Sequence, residues 1–445
     1  MHGSTDASRA GQVSDPAIAA LRWVTAAGIA VDEGMAWREY TAPGMPICDD
    51  LYAGTAGILA ALAQARLSGI TEFDGYARAA VRRLRSVASA SAGPGSSVTA
   101  ADPAQAAPIP AQAPPVPDTG LYTGLSGMAA ALHMWALVSG DPDARDGASS
   151  VVSEISGIAA TARPVSEWRD IIEGEAGILL VLAELGNDAD KRVASDIADQ
   201  IGSQARWIDG LPDWYPRADH PVFLPNFSHG LAGIGYALAA ASTALRRPDL
   251  LEIALLAGQR LVSLGSRPDG AIAVPHSIPP ADPDAAVCFG WCHGPTGTLR
   301  LFQLLDRQQP GHGWAGYAEA CRRAVRSSGL PARLYPGFWD NLGQCCGTAG
   351  VGEMALDRYQ ETGDADWLEW AVTLAQDVLN RRIADESGVR WSHTEHRYDP
   401  PDLEPDVGFM QGAAGIASWL LRLARVGEEG PDAARLWWPD HPVRA

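Results

Sequence analysis

The stretch GEAGILLVLAEL, Gly174–Leu185, places two glycines three apart and follows them with eight residues that carry a single charge, Glu184. A helix this apolar has no polar face to turn to water, so it belongs inside the protein. The same G-x-x-G pattern opens six further runs: Gly54-Thr-Ala-Gly57, Gly124-Leu-Ser-Gly127, Gly230-Leu-Ala-Gly233, Gly294-Pro-Thr-Gly297, Gly347-Thr-Ala-Gly350 and Gly412-Ala-Ala-Gly415. The seven copies stand 70, 50, 56, 64, 53 and 65 residues apart. Between them lie amphipathic runs with apolar residues at helical spacing, such as GYARAAVRRLRSVA from Gly75, LLEIALLAGQRLVSL from Leu250 and WLEWAVTLAQDVLNRR from Trp367. Each repeat therefore reads as an outer amphipathic helix, a loop and an inner apolar helix. Seven such hairpins bury all their inner faces only by closing into a ring, which predicts an all-α fold, an α/α toroid.

At a helix start, glycine lets loop backbone approach closely and leaves amides open to a ligand. Seven helix starts facing one mouth would set their positive ends around one pocket. Close packing is the expected role of most copies, so the chemistry has to come from side chains beside the glycines. The spacing also leaves room for long loops, in which DGAIAVPHSI from Asp269 and GVRWSHTEHRY from Gly388 read as short β-hairpins. One segment, about 86–117, is rich in Ala, Pro and Ser and lacks periodicity. It is expected to be a flexible insertion within a single domain spanning residues 1–445, not a boundary between two.

The 445 residues carry a net charge of −19, which argues against a nucleic-acid surface or charge-driven docking on anionic membranes. No apolar run reaches the length of a membrane span. The N-terminal MHGSTDASRAGQVSDP lacks the basic-then-apolar pattern of a secretory signal, so a cytosolic protein is expected. Six cysteines are too few for a disulfide scaffold.

Three of those cysteines lie beside repeat glycines: Cys292 in the fifth copy, Cys345 and Cys346 in the sixth. Neighbouring copies in a ring would bring the three thiols to one end of it. Three protein ligands with an open fourth position is the catalytic zinc pattern, although buried free cysteines also serve as small hydrophobes. His293 competes as a fourth or substitute ligand, and Cys288 could reach the site from behind it. Cys48 and Cys321 read as structural. His229, directly before Gly230, suits proton transfer near a metal, and a capping or packing role is equally open. Asp170, ahead of the third copy, could orient His229 or cap a helix. His393 and His396 read as solvated loop residues.

The ordered set RDIIEGEAGIL (Arg169–Leu179), SHGLAGIG (Ser228–Gly235), WCHG (Trp291–Gly294), CCGTAGVGE (Cys345–Glu353) and GFMQGAAGIA (Gly408–Ala417) resembles the LanC-like proteins, the lanthionine cyclases and their relatives. The resemblance covers about Leu51 to Leu421. It implies seven inner and seven outer helices and a catalytic Zn2+ on Cys292, Cys345 and Cys346, with His229 as acid/base and Asp170 as the active-site carboxylate. It further implies a cyclase that adds peptide Cys thiols to dehydroalanine or dehydrobutyrine, forming lanthionine or methyllanthionine, with a separate dehydratase preparing the precursor peptide. The sequence departs from the common pattern twice. Cys345-Cys346-Gly347 stands where Cys-His-Gly is usual, and Val287-Cys288-Phe289-Gly290 stands where an Arg often lies upstream of the Trp-Cys pair. A transferase adding glutathione or another thiol to dehydroamino acids, or a non-catalytic peptide-binding scaffold, would share the same features. A toroidal glycosidase would need paired carboxylates where this sequence has Cys and His.

Overall fold

The computed structural model describes residues 13–38, 45–91, 118–161, 164–279, 288–332, 341–392 and 403–442. In chain order its helices are α1 (Ser14–Ala26), α2 (Thr55–Leu67), α3 (Asp74–Ser91), α4 (Leu125–Ser139), α5 (Pro142–Thr161), α6 (Glu175–Leu185) and α7 (Asp188–Ser203). They continue with α8 (Leu231–Ala244), α9 (Pro248–Gly265), α10 (Pro295–Gln308), α11 (Trp314–Arg326), α12 (Thr348–Thr362), α13 (Ala365–Asn380) and α14 (Ala413–Glu429). The even-numbered helices each begin on a G-x-x-G copy and form the inner ring. Each packs on the next, and α14 packs back on α2, which closes it. Their burial matches their composition: every residue from Thr55 to Ala65 in α2 and from Ala413 to Val426 in α14 is buried.

The odd-numbered helices surround this ring. Each of α3 to α13 returns along the inner helix just before it, after a short turn such as the two residues between α6 and α7. The repeat unit is thus inner-then-outer across a tight turn, with the long loop ahead of the inner helix. Helix α1 has no inner helix before it and packs on α14, giving the last inner helix its outer partner. The start of α7 illustrates how the outer helices are fixed. Asn187 accepts from the Ala189 and Asp190 amides while the Asp190 carboxylate takes the Asn187 N–H, a reciprocal cap.

Two expectations about the loops need correction. Helix α3 continues to Ser91, because the Ala/Ser run after Arg85 is compatible with a helix, so the insertion starts later than residue 86; residues 92–117 lie outside the described residues. The segment from Asp269 forms isolated bridges, Ser266 with Ile272 and Phe223 with Ile278, and not a hairpin of its own. Strands do follow three outer helices. After α1 come β1 (Ile29–Val31), β2 (Gly34–Arg38) and β3 (Ile47–Cys48), an antiparallel sheet in that order. After α7 come β4 (Arg206–Ile208) and β5 (Leu211–Asp213), and after α13 come β6 (Ile383–Asp385) and β7 (Gly388–Arg390). The third hairpin uses Gly388, but pairs it backwards with Asp385. In each hairpin a buried tryptophan donates its indole N–H to the outer helix: Trp37 to Val24 O (2.8 Å), Trp214 to Ile201 O (2.9 Å) and Trp391 to Val378 O (2.8 Å). Each bond lands on a carbonyl of the helix's last turns and ties the hairpin to it.

Candidate metal centre and its acid–base pair

The amides at the inner-helix starts are not open to a ligand. Each mouth loop folds over its own helix start and satisfies them with its carbonyls. Leu125 donates to Asp118 O, Glu175 to Trp168 O, Leu231 to Leu224 O, Thr348 to Asn341 O and Ala413 to Asp406 O. In the fifth copy Pro295 takes the first helical position, where no N–H is needed. This wrap explains the second glycine of the motif. A Cβ on Gly297 would lie 1.9 Å from Trp291 O and 2.6 Å from the Phe227 side chain of the neighbouring loop.

The loops are laced together by the residue two places before each first glycine. Tyr122 N–H donates to Ile172 O (2.9 Å), Tyr52 to Tyr122 O (2.9 Å), Met410 to Tyr52 O (2.8 Å) and Cys345 to Met410 O (2.9 Å). Cys292 then donates to Cys345 O (3.1 Å) and Ser228 to Cys292 O (3.0 Å). Six of the seven loop junctions carry such a bond. At the seventh, between the third and fourth copies, the Ile172 N–H turns to Asp170 Oδ1 (2.9 Å), and the gap is spanned by side chains: Asp170 Oδ2 to His229 Nδ1, 2.9 Å.

This lacing sets the cysteines. The Cys292–Cys345 backbone bond puts the fifth and sixth loops side by side, and Gly290, whose Cβ would meet Cys346 Cα at 2.9 Å, lets them touch. The Sγ atoms of Cys292, Cys345 and Cys346 all lie within 4.8 Å of one another. Cys292 and Cys346 are 3.1 Å apart, Cys346 and Cys345 3.4 Å, and all three are buried. Burial pushes the Cys292 thiol far above its ordinary range. Hydrogen bonds from Cys292 and Cys346, joined by one from the Tyr52 hydroxyl, hold Cys345 well below it against the pull of burial.

The donor set fits zinc. Three soft thiols suit a thiophilic ion and not Mg2+ or Ca2+, which take oxygen. Zn–S bonds of ~2.3 Å set tetrahedral sulfurs ~3.8 Å apart, within the spread seen here. Among the described residues no other group of three His, Cys, Asp or Glu side chains is placed to hold an ion. His293 is not part of the cluster. Its ring stacks on His276 at 4.0 Å and stands 5.7 Å from His229. Cys288 is buried and hydrogen-bonds Cys292, but its sulfur is outside the triad. Cys48 bonds Asp50 (2.8 Å), and Cys321 is buried within α11. His393 and His396 lie outside the described residues.

Asp170 is fully buried, and its Oδ1 accepts from the amides of Ile172 (2.9 Å), Glu173 (2.9 Å) and Gly174 (3.2 Å). That carboxylate cannot swing, so it fixes the imidazole it holds. Burial alone would lower the His229 pKa. The hydrogen bond and charge of Asp170, helped by Glu173 and Cys346, outweigh it and raise the value above the ordinary 6.5. Because Nδ1 faces Asp170, Nε2 is the nitrogen left for a substrate, and the ring keeps 28% of its side-chain surface exposed.

Sequence reasoning missed Tyr52, Gln411 and His276. Tyr52 and Gln411 occupy the same two positions before the first glycine that carry the cysteines and His229, which is the signal that could have found them. His276 left no comparable signal.

Residues 46–431 match the family model described as lanthionine synthetase C-like protein. The chain belongs to the lanthionine synthetase C-like family. A solved structure that this family member resembles is nisin cyclase, with a TM-score of 0.57 and 16% identity over 84% of this chain and 88% of that one. At that identity the likeness speaks for the fold, the toroid of seven inner and seven outer helices. An unsaturated glucuronyl hydrolase specific for heparin aligns more loosely, with a TM-score of 0.48 and 12% identity over 82% of this chain and 96% of that one. No curated protein matches the chain by sequence. No helix among the described residues is long and apolar enough to cross a membrane.

Proposed function

We propose that this protein is a zinc-dependent cyclase that closes lanthionine or methyllanthionine rings in a ribosomal precursor peptide. The observation that carries the reading is the meeting of three buried thiols, from two loops far apart in sequence, at the mouth that also holds the Asp170–His229 pair.

The reaction adds a peptide S–H across the C=C of dehydroalanine or dehydrobutyrine. Sulfur bonds to Cβ, Cα takes a proton, and nothing leaves. A thiol with a pKa of about 8.5 is mostly protonated at neutral pH. Zinc bound by Cys292, Cys345 and Cys346 would supply the missing acidity, stabilising the substrate sulfur as thiolate. His229 handles the proton. Its Nε2 can take the thiol proton and return it to Cα, and the Asp170 carboxylate, by raising its pKa, favours the protonated form more than in an ordinary imidazole. Asp170 holds the ring in one orientation and stabilises its charged state. The mouth contributes a place for the chain to lie, and Ser and Thr reach it already dehydrated, through a dehydratase acting first.

The test is direct. A peptide bearing one dehydroalanine and one Cys is incubated with zinc-loaded protein, and ring closure is read as loss of an alkylatable thiol by mass spectrometry. We expect closure by the loaded protein and loss of at least ~100-fold on Asp170→Asn, Cys346→Ala or chelation. Zinc-stripped protein that closes rings at the loaded rate would refute the proposal. Addition of free glutathione in preference to ring closure would favour a thiol transferase.

A further inference from the structure

Three ligand thiolates and Zn2+ carry a net charge of −1, and a substrate thiolate makes it −2, in a largely buried site where charge is poorly screened. The mouth also receives an electrophile, the dehydro residue. The ligand sulfurs could attack it as readily as the incoming thiol does, which would inactivate the protein. Something has to make the four sulfurs unequal.

A chain of neutral donors ends on the ligand sulfurs. The Gly343 N–H donates to Asn341 Oδ1 (2.8 Å), so Asn341 presents Nδ2 to Gln411 Oε1 (2.7 Å). That fixes the Gln411 amide with its nitrogen on the other side, where it reaches Tyr52 Oη (3.0 Å) and Cys346 Sγ (3.6 Å). Tyr52, accepting from Gln411, has its own proton left for Cys345. The third sulfur, of Cys292, has the Cys288 thiol as its neighbour. The donors to Cys345 and Cys346 come from the first and seventh mouth loops, the seventh laced to the sixth and the first to the seventh by backbone bonds, so they are held independently of the cysteine side chains.

We propose that Tyr52 and Gln411 are positioning residues that draw electron density from Cys345 and Cys346, leaving these two sulfurs less nucleophilic than the substrate sulfur. Outer hydrogen bonds tune ligand basicity in this way in metal sites generally. The inference rests on the zinc reading above.

The experiment measures covalent capture of the protein's own cysteines. Zinc-loaded wild type, Tyr52→Phe, Gln411→Leu and the surface control Tyr76→Phe are exposed to methyl 2-acetamidoacrylate, a small dehydroalanine, and to iodoacetamide. Zinc content is matched beforehand and adducts are mapped by peptide mass spectrometry. Loss of one charge-assisted hydrogen bond should speed capture about tenfold. The adduct should appear on Cys345 in Tyr52→Phe and on Cys346 in Gln411→Leu, while the control behaves as wild type. That residue-by-residue map is a readout that general loosening of the fold would not give. If Tyr52→Phe does not fold, Gln411→Leu alone decides. Folded, zinc-loaded variants captured at the wild-type rate, or with adducts spread evenly over the three cysteines, overturn this inference and leave the zinc reading standing. Wild type that binds no zinc overturns both.

Discussion

Asp170 and Glu175 lie five residues apart and face opposite electrostatic fates. Asp170 has three amides and an imidazole to share its charge; Glu175 is fully buried at the start of α6 with Arg169 as its main charged neighbour. Burial lifts the Glu175 carboxyl from 4.5 to about 7, with Arg169 pulling it partly back. A pKa raised by folding means that the folded state holds the proton more tightly. The resulting stability is complete below about pH 4.5 and is lost as pH rises towards 7. That difference corresponds to about 3 kcal/mol. Glu175→Gln, which keeps the protonated shape, should therefore gain up to about 3 kcal/mol over wild type at pH 8 and almost nothing at pH 4, as read from urea unfolding at the two pH values. An equal gain at both would contradict this account. At the residue scale the candidate site was legible wherever the chemistry is distinctive. A thiol pair or an imidazole beside a repeat glycine invites a metal or proton reading. Tyr52 and Gln411 hold equivalent positions, but a phenol and an amide have too many ordinary uses for their place in the chain to single them out.

The mouth loop is the element that makes the site. It wraps back over its helix start, uses up the amides there, and hands one backbone bond to the next loop. The G-x-x-G motif is the steric licence for that wrap, not a ligand cradle, and so it recurs even in copies without candidate-site side chains. Gly297→Ala tests the point, since the added methyl would meet the Trp291 carbonyl and the Phe227 side chain at once. We expect destabilisation of about 3 kcal/mol or more in urea unfolding, with zinc stoichiometry falling because Cys292 lies on the displaced loop. A stability change below about 0.5 kcal/mol would mean that the loop has room to spare. The hairpin tryptophans are the other recurrent device. Trp37, Trp214 and Trp391 each lie thirteen residues after the carbonyl they bond, a periodicity that reading for inner helices alone passes over.

Over the whole molecule the ring is filled by its own C-terminal segment. Residues 431–442 touch inner helices on different sides: Trp437 meets His133 of α4 edge-on, Asp440 pairs with Arg300 of α10, and α12 donates from Gln360 to Pro431 O and Ala433 O. Asp440 is fully buried and also accepts from Tyr122 Oη (3.0 Å), whose backbone belongs to the mouth lacing. Trp438 stacks on Phe409 and donates to the same hydroxyl. A cavity of about 90 Å³ remains beside this segment, lined by Arg422, Glu353, Asp357 and Arg435 among others, and reaching Trp291 and Met410 under the mouth. Neither the three cysteines nor His229 lines it. Asp440→Asn leaves the Arg300 charge without its partner and should lower stability by about 3 kcal/mol in urea unfolding, and the Asp440→Asn/Arg300→Met double variant should recover most of that loss. A double variant no more stable than the single would show that the pair itself is not what anchors the tail.

The inner helices, their number and their place at the centre follow from the sequence, because an apolar run has only one stable surroundings and seven equal runs can share it only in a ring. The candidate ligands and the acid–base pair also stand out in the sequence, since few side chains offer that chemistry. Tertiary structure alone decided that α1 serves the last inner helix, that the tail fills the centre, that His293 faces His276 and not the thiols, and that Tyr52 and Gln411 stand behind the cysteines. These are contacts between residues hundreds of positions apart or on separate loops. They depend on how the ring closes and on which junction its backbone bonds leave to side chains, and no local pattern of residues encodes that.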